Sequence, residues 1–428
     1  MRNPTCTTCS AAIRWALLVL ACLLTPQRAL AVDEFGDEYT PPRFELRSGD
    51  LTLVFKGELE LEFHDLEGEG GPGFDSPTDT RTLGTRSPFV ELDSFSLALR
   101  LGIGEHVWIN SALDFDTRDA RVGAVFFDYR ERWPSWLEHH LELGYQVPLV
   151  HLDRRTERYP LIATIYWRQP ELHLLYDLDF ELAEAVSLQL GASVAMMRPL
   201  GFAGVQESSN QAGTINVLAY DLAEPYSGNS PVAGGRLGVR LFGAFVEAFG
   251  FIGKLSARGG TDVLISGFPA YRELPGFGGD SSGGDFAWMG GRAGFVGFGA
   301  NVFAEFIYST EDLLDRWGFY VQAGYRLELL ETWLRAVEPI VRYEQYRLLD
   351  STRPLASGNA LRSVAPINAA SWDFDVLTLA LRCELYRDLL VLRFEYYLVD
   401  EANGVPALGI DDAPLDNDEL LIQAELRF

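Results

Sequence analysis

The sequence has almost no lysine. Of its 35 basic residues only Lys56 and Lys254 are lysines, and the rest are arginines. Acidic residues number 61, so the formal net charge is −26. Binding to nucleic acid needs a basic surface that neutralises phosphates, and this charge balance argues against it. Hydrophobic residues make up 47% of the chain, which argues equally against an acidic disordered protein.

Cysteine is also scarce, and its placement bears on the compartment. Three of the four cysteines lie in the first 31 residues, and only Cys383 follows them. Arg2 and Arg14 precede the apolar stretch 15–24, and Ala29-Leu30-Ala31 follows it. A basic segment, a short apolar core and a small-residue cleavage site are typical of a secretory signal. We expect residues 1–31 to be removed, which leaves 32–428 as an exported domain without a disulfide framework.

Long apolar runs are missing after residue 31. No stretch there holds 18 consecutive apolar residues, so no transmembrane helix is predicted. Apolar and polar residues instead alternate with period two in Leu51–His64, Phe95–Leu101 and Leu172–Leu182. This pattern is typical of strands whose two faces meet different solvents. Similar segments lie near 106–116, 141–149, 185–196, 236–256, 286–308, 318–329, 338–348, 374–386 and 389–398.

The connections between these segments differ in length. Some are tight, such as 102–104 and 387–388. Others are long and rich in Gly, Pro, Asp and Ser, namely 65–88, 200–214, 222–235, 257–285, 349–371 and 401–417. Short turns on one side and long loops on the other predict an all-β fold, a transmembrane antiparallel β-barrel with short periplasmic turns and long extracellular loops. The chain length fits about 16 strands, within a range of about 14–18.

The last strand ends the chain on an aromatic residue. Its alternating apolar positions are Leu420, Ile422, Ala424, Leu426 and Phe428. This ending resembles the terminal signal of outer-membrane barrels, and the resemblance implies recognition by the barrel-assembly machinery. A secreted soluble β-sandwich whose last strand ends in Phe is the alternative, since sandwiches also alternate.

Charged residues are predicted to line the inside of the barrel. Residues i and i+2 share one face of a strand, and a lipid-facing charge near the midplane costs roughly 2–4 kcal/mol. Arginine suits an inner wall because its planar fork can pair with a carboxylate through two hydrogen bonds. The predicted pore-lining residues are Lys56, Arg100, Arg326, Glu328, Arg342, Glu344, Arg382, Glu384, Arg393, Glu395, Glu425 and Arg427.

Two roles are open for these charges. In the first, they line a water-filled pore whose transverse field steers ions and small solutes. In the second, they form a salt-bridged wall that makes the barrel rigid, and the balanced pairs cancel much of their field. Cys383 lies between two of the predicted inward residues, so we expect it to face lipid.

Several segments resemble the phosphate-selective O and P type porins, which are trimeric 16-stranded barrels of Gram-negative outer membranes. The segment 143–148 resembles that family's glycine-aromatic-lysine-x-proline strand, and 155–159 lies where an arginine-containing stretch follows. The segments 318–325, 338–344, 377–398 and 420–428 resemble its later strands. The family's lysine-rich binding cluster has no counterpart, since Gln146 stands at the motif's lysine position. Inner arginines can still attract anions.

No catalytic residue, metal site or cofactor is predicted. Adjacent strand residues face opposite sides, so His139 and His140 cannot easily share one ion. The acidic loop 411–418 could hold a divalent cation through carboxylate oxygens, although simple solvated acidity is favoured. The glycine-rich segment 279–285 resembles the loop that carries the nucleophile of serine proteases, but a catalytic triad also needs a histidine and a carboxylate placed by the fold.

The functional prediction is an outer-membrane porin for passive diffusion of small hydrophilic solutes or ions. Its expected partners are outer-membrane lipid and lipopolysaccharide, the barrel-assembly machinery and, by the resemblance, two further copies in a homotrimer. A non-porin barrel of structural or enzymatic kind is the alternative. A secreted soluble β-protein is a third interpretation.

Overall fold

The fold is built almost wholly from β-strands. The computed structural model describes residues 44–66, 88–115, 120–146, 155–157, 171–197, 200–206, 214–220, 230–254, 285–311, 314–329, 333–348, 372–386, 389–403 and 418–428. The predicted signal 1–31, the acidic loop 411–417 and the glycine-rich segment 279–284 lie outside these residues. Within the described part of the chain, no helix is long and apolar enough to cross a membrane.

Twenty strands are formed by the described residues. They are β1 (Phe44–Ser48), β2 (Leu51–Leu66), β3 (Phe89–Ile103), β4 (Val107–Phe115), β5 (Ala120–Arg132), β6 (Leu137–Gln146), β7 (Glu171–Ala183), β8 (Val186–Met197), β9 (Leu200–Gln206), β10 (Thr214–Tyr220), β11 (Ser230–Leu241), β12 (Ala244–Lys254), β13 (Asp285–Gly297), β14 (Ala300–Glu311), β15 (Leu314–Tyr325), β16 (Leu327–Glu328), β17 (Leu334–Leu348), β18 (Trp372–Leu385), β19 (Leu390–Asn403) and β20 (Glu419–Arg427).

The main sheet closes on itself as a 16-stranded antiparallel barrel. Neighbouring strands pair in chain order, except that β8 pairs directly with β11, and β2 pairs with both β3 and β20. The two-residue β16 continues β15 along the same edge of β17, so the two count as one strand. β9 and β10 form a separate two-stranded hairpin. This closed barrel confirms the predicted fold class and strand number.

The barrel seam is shared by the two ends of the described chain. On one edge of β2, the strand β20 pairs with Glu58–Leu66, and β1 pairs with Leu51–Phe55 below it. Between them, the backbone of Phe428 exchanges two hydrogen bonds with Gly57, at 2.6 and 2.9 Å. β1 and β20 therefore act as one composite strand along the edge of β2 from Leu51 to Leu66.

Connections at one end of the barrel are tight. Phe242-Gly243 and Phe298-Gly299 each form a two-residue hairpin turn with positive φ at both positions, at 48° and 83° and at 56° and 78°. Such turns match the twist of the flanking strands. The alternating segments 236–256 and 286–308 each contain a hairpin, whose turn the alternation did not mark. Phenylalanine is not a typical turn residue, so the apolar–polar alternation of the sequence runs through each turn without interruption.

Two other expectations about strands were incomplete. β5 was not predicted, because its inward positions include Ala124 and Phe126, and apolar residues on both faces hide the alternation. Residues 200–206 were predicted as part of a long loop, and they form β9 instead.

The two faces of the barrel wall have opposite chemistry. Along β20 the outward Leu426 and Phe428 are 37% and 44% exposed, whereas the inward Gln423, Glu425 and Arg427 are at most 3% exposed. The outward set of β20, predicted from its alternation, comprises Leu420, Ile422, Ala424, Leu426 and Phe428. Cys383 is half-buried on the outward face between the inward Arg382 and Glu384. Exposed apolar residues thus cover the outside and charged ones the inside.

Candidate functional site: the inner wall and the segment inside the barrel

A short segment of chain lies inside the barrel. Arg155, Thr156 and Glu157, called the inner segment here, come from the connection between β6 and β7. They are only 8%, 1% and 5% exposed. Their partners are inward side chains of β17, β19 and β20, so the segment packs against that part of the inner wall.

The inner segment is held by charged and polar wall residues. The backbone N–H of Glu157 donates to both carboxylate oxygens of Glu395, at 2.9 and 3.1 Å. Arg342 donates a hydrogen bond to the Thr156 hydroxyl, and Gln423 donates one to the Glu157 carboxylate. Arg393 Nη1 lies 3.5 Å from Glu157 Oε2. Hydrogen bonds to charged groups are the stronger ones, so this set fixes the segment against the wall.

The predicted pore-lining pairs lie on the inner face, apart from Glu328, whose side chain is 76% exposed, and most are ion pairs within one strand. Their nitrogen–oxygen distances are 2.6 Å for Arg326–Glu328, 3.0 Å for Arg342–Glu344 and 3.8 Å for Arg382–Glu384, and Arg427 also contacts Glu425. In the fifth pair, Arg393 contacts Glu425 at 2.6 Å, whereas Glu395 accepts from Glu157 and from the Tyr397 hydroxyl.

Several arginines also bridge between strands. Arg326 Nη2 lies 2.7 Å from Glu384 Oε2, and Arg382 Nη1 lies 3.9 Å from Glu338 Oε2. Because the donors of a guanidinium point in several directions, one arginine can satisfy carboxylates on its own strand and on another.

Lys56 and Arg100 lie on the same inner face. Arg100 stacks over Trp108, with its Cζ 4.2 Å from the ring centroid, and its Nη2 is 3.6 Å from Asp128 Oδ2. Arg100 therefore reaches from β3 across β4 toward β5. Lys56 is half-buried on β2 and faces inward beside Glu58.

Three histidines join the inner network, although the sequence offered only their alternation as a signal. His64 is fully buried, with Nδ1 2.7 Å from Glu419 Oε1 and Nε2 2.9 Å from Glu62 Oε2. Both ring nitrogens can donate to carboxylates only in the imidazolium form. His140 and His173 lie beside Glu142, with nearest nitrogen–oxygen distances of 3.2 and 3.4 Å. These contacts extend the charged wall across β6 and β7.

A glycine makes room for an ion pair that spans three strands. Arg236 on β11 donates to Asp177 on β7 through Nε at 2.9 Å and Nη2 at 2.7 Å. The pair crosses over Gly191 on the intervening β8, where a Cβ atom would lie 2.2 Å from Asp177 Oδ1 and 2.7 Å from Arg236 Cγ. The bidentate geometry therefore depends on glycine at this position.

Another part of the inner wall is aromatic. Phe249 and Phe251 on β12 and Trp288 on β13 face inward and are at most 5% exposed. The rings of Phe251 and Trp288 meet edge to face at 6.1 Å, and Phe251 covers Gly234 so closely that a Cβ there would lie 2.4 Å from the ring. The charged groups are thus distributed unevenly around the barrel.

Carboxylates crowd together where β2, β3 and β20 face the inner segment. Two groups of three have carboxylate oxygens all within 4.8 Å of one another, namely Glu58, Glu60 and Glu425, and Glu60, Asp93 and Glu157. The second group joins the wall to the inner segment. Of these five, only Glu425 was predicted as pore-lining. The alternation of 51–64 also places Glu58 and Glu60 on the polar face of their strand, whereas no local pattern marks Asp93 or Glu157.

Comparison with solved structures finds similar barrels. The outer membrane channel DcaP of Acinetobacter baumannii has a TM-score of 0.55 at 10% identity, over 90% of this chain and 99% of that one. OmpF of Salmonella typhi, solved with daunomycin, has a TM-score of 0.54 at 10% identity, over 90% and 100% of the chains. The fold is that of outer-membrane porins. OprB of Pseudomonas putida has a TM-score of 0.54 at 10% identity, over 89% of this chain and 94% of that one.

Sequence comparison adds no family to this structural likeness. No family model matches the sequence, and no curated protein matches it. The resemblance to the O and P type porins therefore stays a prediction. Its quoted segments 318–325 and 338–344 lie within β15 and β17 of the porin-like barrel.

Proposed function

We propose that this chain forms a water-filled channel in a Gram-negative outer membrane, through which small hydrophilic solutes or ions diffuse passively without a catalysed reaction. The observation that carries this proposal is the closed 16-stranded barrel with an apolar outer face and a charged inner face. Barrels of this strand number are wide enough to enclose an aqueous channel. Soluble proteins rarely expose such a large continuous apolar surface, so lipid is the expected neighbour of this outer face.

Exposed aromatic residues support the placement in a membrane. They cluster at the tight-turn end of the barrel, where an aromatic girdle would meet the polar headgroups. These side chains are Trp133, Trp136, Phe242, Phe298, Trp333, Tyr386 and Phe428. We assign this end to the periplasm and the end with the longer connections to the cell exterior, where lipopolysaccharide is the expected neighbour.

The inner segment is the proposed constriction. It occupies part of the barrel interior beside Arg342, Arg393 and Glu395, which were predicted from the sequence as pore-lining residues. A passing solute would therefore meet the segment on one side and the remaining inner wall on the other. The charges that line this passage would set which ions enter it.

The proposals for export and assembly rest on the sequence alone. We propose that residues 1–31 act as a cleaved signal and that the barrel-assembly machinery reads the outward side chains of β20, which end in Phe428. A homotrimer is proposed from the resemblance to the O and P type porins alone, and chemical cross-linking in native membranes would test it. Phosphate selectivity is not proposed, because those channels' lysine cluster has no counterpart in a chain with two lysines.

Single-channel recording tests the channel itself. Purified full-length protein added to a planar bilayer should produce discrete conductance steps in potassium chloride. Heat-denatured protein at the same detergent concentration is the control. If the folded barrel inserts and yet gives no steps in any salt, the channel function is wrong and a structural barrel becomes the better account.

A further inference from the structure

A buried histidine joins two neighbouring strands at the barrel seam. His64 on β2 has Nδ1 2.7 Å from Glu419 Oε1 on β20, and Nε2 2.9 Å from Glu62 Oε2 on its own strand. The residue opposite it on β20 is Leu421, and both side chains are fully buried. Because the ring is shielded from water, its nitrogens depend on protein groups for their hydrogen bonds.

Both carboxylates can accept from this ring only when it is protonated. An imidazolium donates from both nitrogens, whereas a neutral imidazole has one N–H and one lone pair. In the neutral form, one of the two carboxylates would face a nitrogen lone pair at hydrogen-bonding distance. The observed geometry therefore corresponds to the imidazolium form of His64.

Hydrogen bonds connect His64 to the inner segment. The second oxygen of Glu62, Oε1, accepts from Gln423 Nε2 at 2.9 Å. The same amide nitrogen also donates to the Glu157 carboxylate, and Gln423 Oε1 accepts from Arg393. An amide has two N–H groups, so one is directed at each carboxylate. A shift of Glu62 therefore moves the donor that holds Glu157.

Other acids among the described residues lie near this chain of hydrogen bonds. Glu91 on β3 is opposite Glu62 in the strand register. Asp93, also on β3, has a carboxylate oxygen within 4.8 Å of one of Glu157. Carboxyl groups ordinarily titrate near pH 4, whereas an imidazole ordinarily changes charge between about pH 5 and pH 8. A response to pH in that range is therefore assigned to His64, and variants must separate it from the acids.

From these contacts we propose that His64 is a positioning residue for the inner segment, and that its proton makes the hold on the constriction dependent on pH. The proposal rests on the proposed channel, in which this segment is the constriction. While His64 is protonated, it fixes Glu62. Through Gln423, that carboxylate keeps Glu157 in place. When the proton leaves, the ring keeps its one N–H toward Glu419, which is the shorter contact, and the Nε2 lone pair repels Glu62. The segment is therefore held at low pH and loosened at high pH.

Trypsin digestion of the folded, full-length barrel at several pH values tests the proposal. The peptide bond after Arg155 is cut only when the segment leaves the wall. Cutting should accelerate roughly tenfold or more between about pH 6 and about pH 9, because one hydrogen bond to a charged group is lost.

Glu419→Gln should abolish this acceleration. Its amide can donate to Nδ1 of a neutral ring, which leaves the ring N–H on Nε2 for Glu62 at every pH. The ratio of wild-type to variant rates at each pH cancels the pH dependence of trypsin itself. A ratio that stays constant across this range would overturn the proposal.

His140→Gln is the matched control, because it removes another inward histidine, one that lies on β6 with Nε2 3.2 Å from Glu142 Oε1. Its cutting rate should follow the wild-type curve, and loss of the pH response in this variant would contradict the role of His64. If Glu419→Gln does not fold, Glu62→Gln carries the test. Its amide nitrogen can donate to Nε2 of the neutral ring while its oxygen accepts from Gln423, so it too should be insensitive to pH.

Single-channel recording separates this proposal from the channel function. The open-channel current of the wild type should fluctuate more at high pH than at low pH, and Glu419→Gln should remove the difference. Absence of conductance at every pH would defeat the channel function, while cutting after Arg155 would still report the hold of His64 on the segment. A conducting barrel whose cutting does not depend on pH would leave the channel function intact and overturn the role of His64.

Discussion

Replacing Glu395 by leucine should release the inner segment from the barrel wall. Glu395 is 1% exposed, and its carboxylate accepts the backbone N–H of Glu157 at 2.9 and 3.1 Å. Leucine has a similar size but no acceptor, so the variant leaves this N–H without its carboxylate partner. The lost bond to the Tyr397 hydroxyl lies within β19 and should lower barrel stability without acting on the segment.

The size of the expected release follows from the loss of one hydrogen bond, in which the N–H of Glu157 is shared by the two charged oxygens of Glu395. A hydrogen bond to a charged group contributes about 1.5–3 kcal/mol net. Each 1.4 kcal/mol changes an equilibrium constant tenfold, so the released population should rise roughly ten- to a hundredfold. Thr156 and the Glu157 carboxylate keep their contacts with Arg342 and Gln423, which should keep the segment bound for most of the time.

Limited trypsin digestion of the folded barrel reports this release. The peptide bond after Arg155 is protected while the segment lies inside the barrel, and it becomes a substrate only when the segment leaves. When reclosing outpaces cleavage, the cleavage rate follows the open population, so it should rise by the same factor. Mass spectrometry identifies the cut, and single-channel recordings should show added current fluctuations.

Glu305→Leu is the matched control. Glu305 is a 3% exposed inward carboxylate on β14 that accepts from the Tyr320 hydroxyl at 3.4 Å, whereas the contacts described for the segment are with β17, β19 and β20. Its loss should destabilise the barrel without exposing Arg155. If the two leucine variants are cut after Arg155 at the same rate, Glu395 does not hold the segment and the reasoning fails.

Two further predictions concern the barrel itself. Gly191→Ala should displace the Arg236–Asp177 pair and lower the free energy of unfolding by about 1–3 kcal/mol. The loss should be smaller than for a fully buried pair, because Arg236 is 18% exposed. Urea titration in lipid vesicles measures it, and equal loss in Gly238→Ala, where a Cβ meets nothing closer than 3.5 Å, would contradict it. Phe428→Ala should lower the folded fraction more than Leu426→Ala does, because the Phe428 ring covers Gly57 and stacks on Phe95 at 6.3 Å. The folded fraction is measured as the band whose gel mobility changes on heating.

The barrel could be predicted from sequence because its rule is local. In β20 every second residue from Leu420 to Phe428 is apolar, and the strand's inward set follows from the same count. Prediction from alternation fails where the two faces of a strand do not differ in polarity, or where the chain turns without an Asn-Gly or Asp-Gly pair. β5 was missed because its inward Ala124 and Phe126 are as apolar as its outward residues. The turn at Phe242-Gly243 was missed because it lacks such a pair.

The inner segment could not be predicted because nothing near it in the sequence places it. Thr156 meets a side chain 186 residues away, and Glu157 meets partners 238 and 266 residues away. Alternation tells which face a side chain takes on its own strand, and it says nothing about which loop enters the barrel. The composite strand formed by β1 and β20 has the same origin, since it appears only when the barrel closes.

The contacts of Arg342 and Arg393 correspond to the second of the two roles open for the inner charges, that of a salt-bridged wall. Arg342 pairs with Glu344 and binds Thr156, and Arg393 reaches Glu425, Gln423 and Glu157 at once. A lysine carries one compact ammonium and cannot span such sites with a fixed fork, which gives a physical reason for a chain whose basic residues are nearly all arginine. These arginines fix the wall and the inner segment in place.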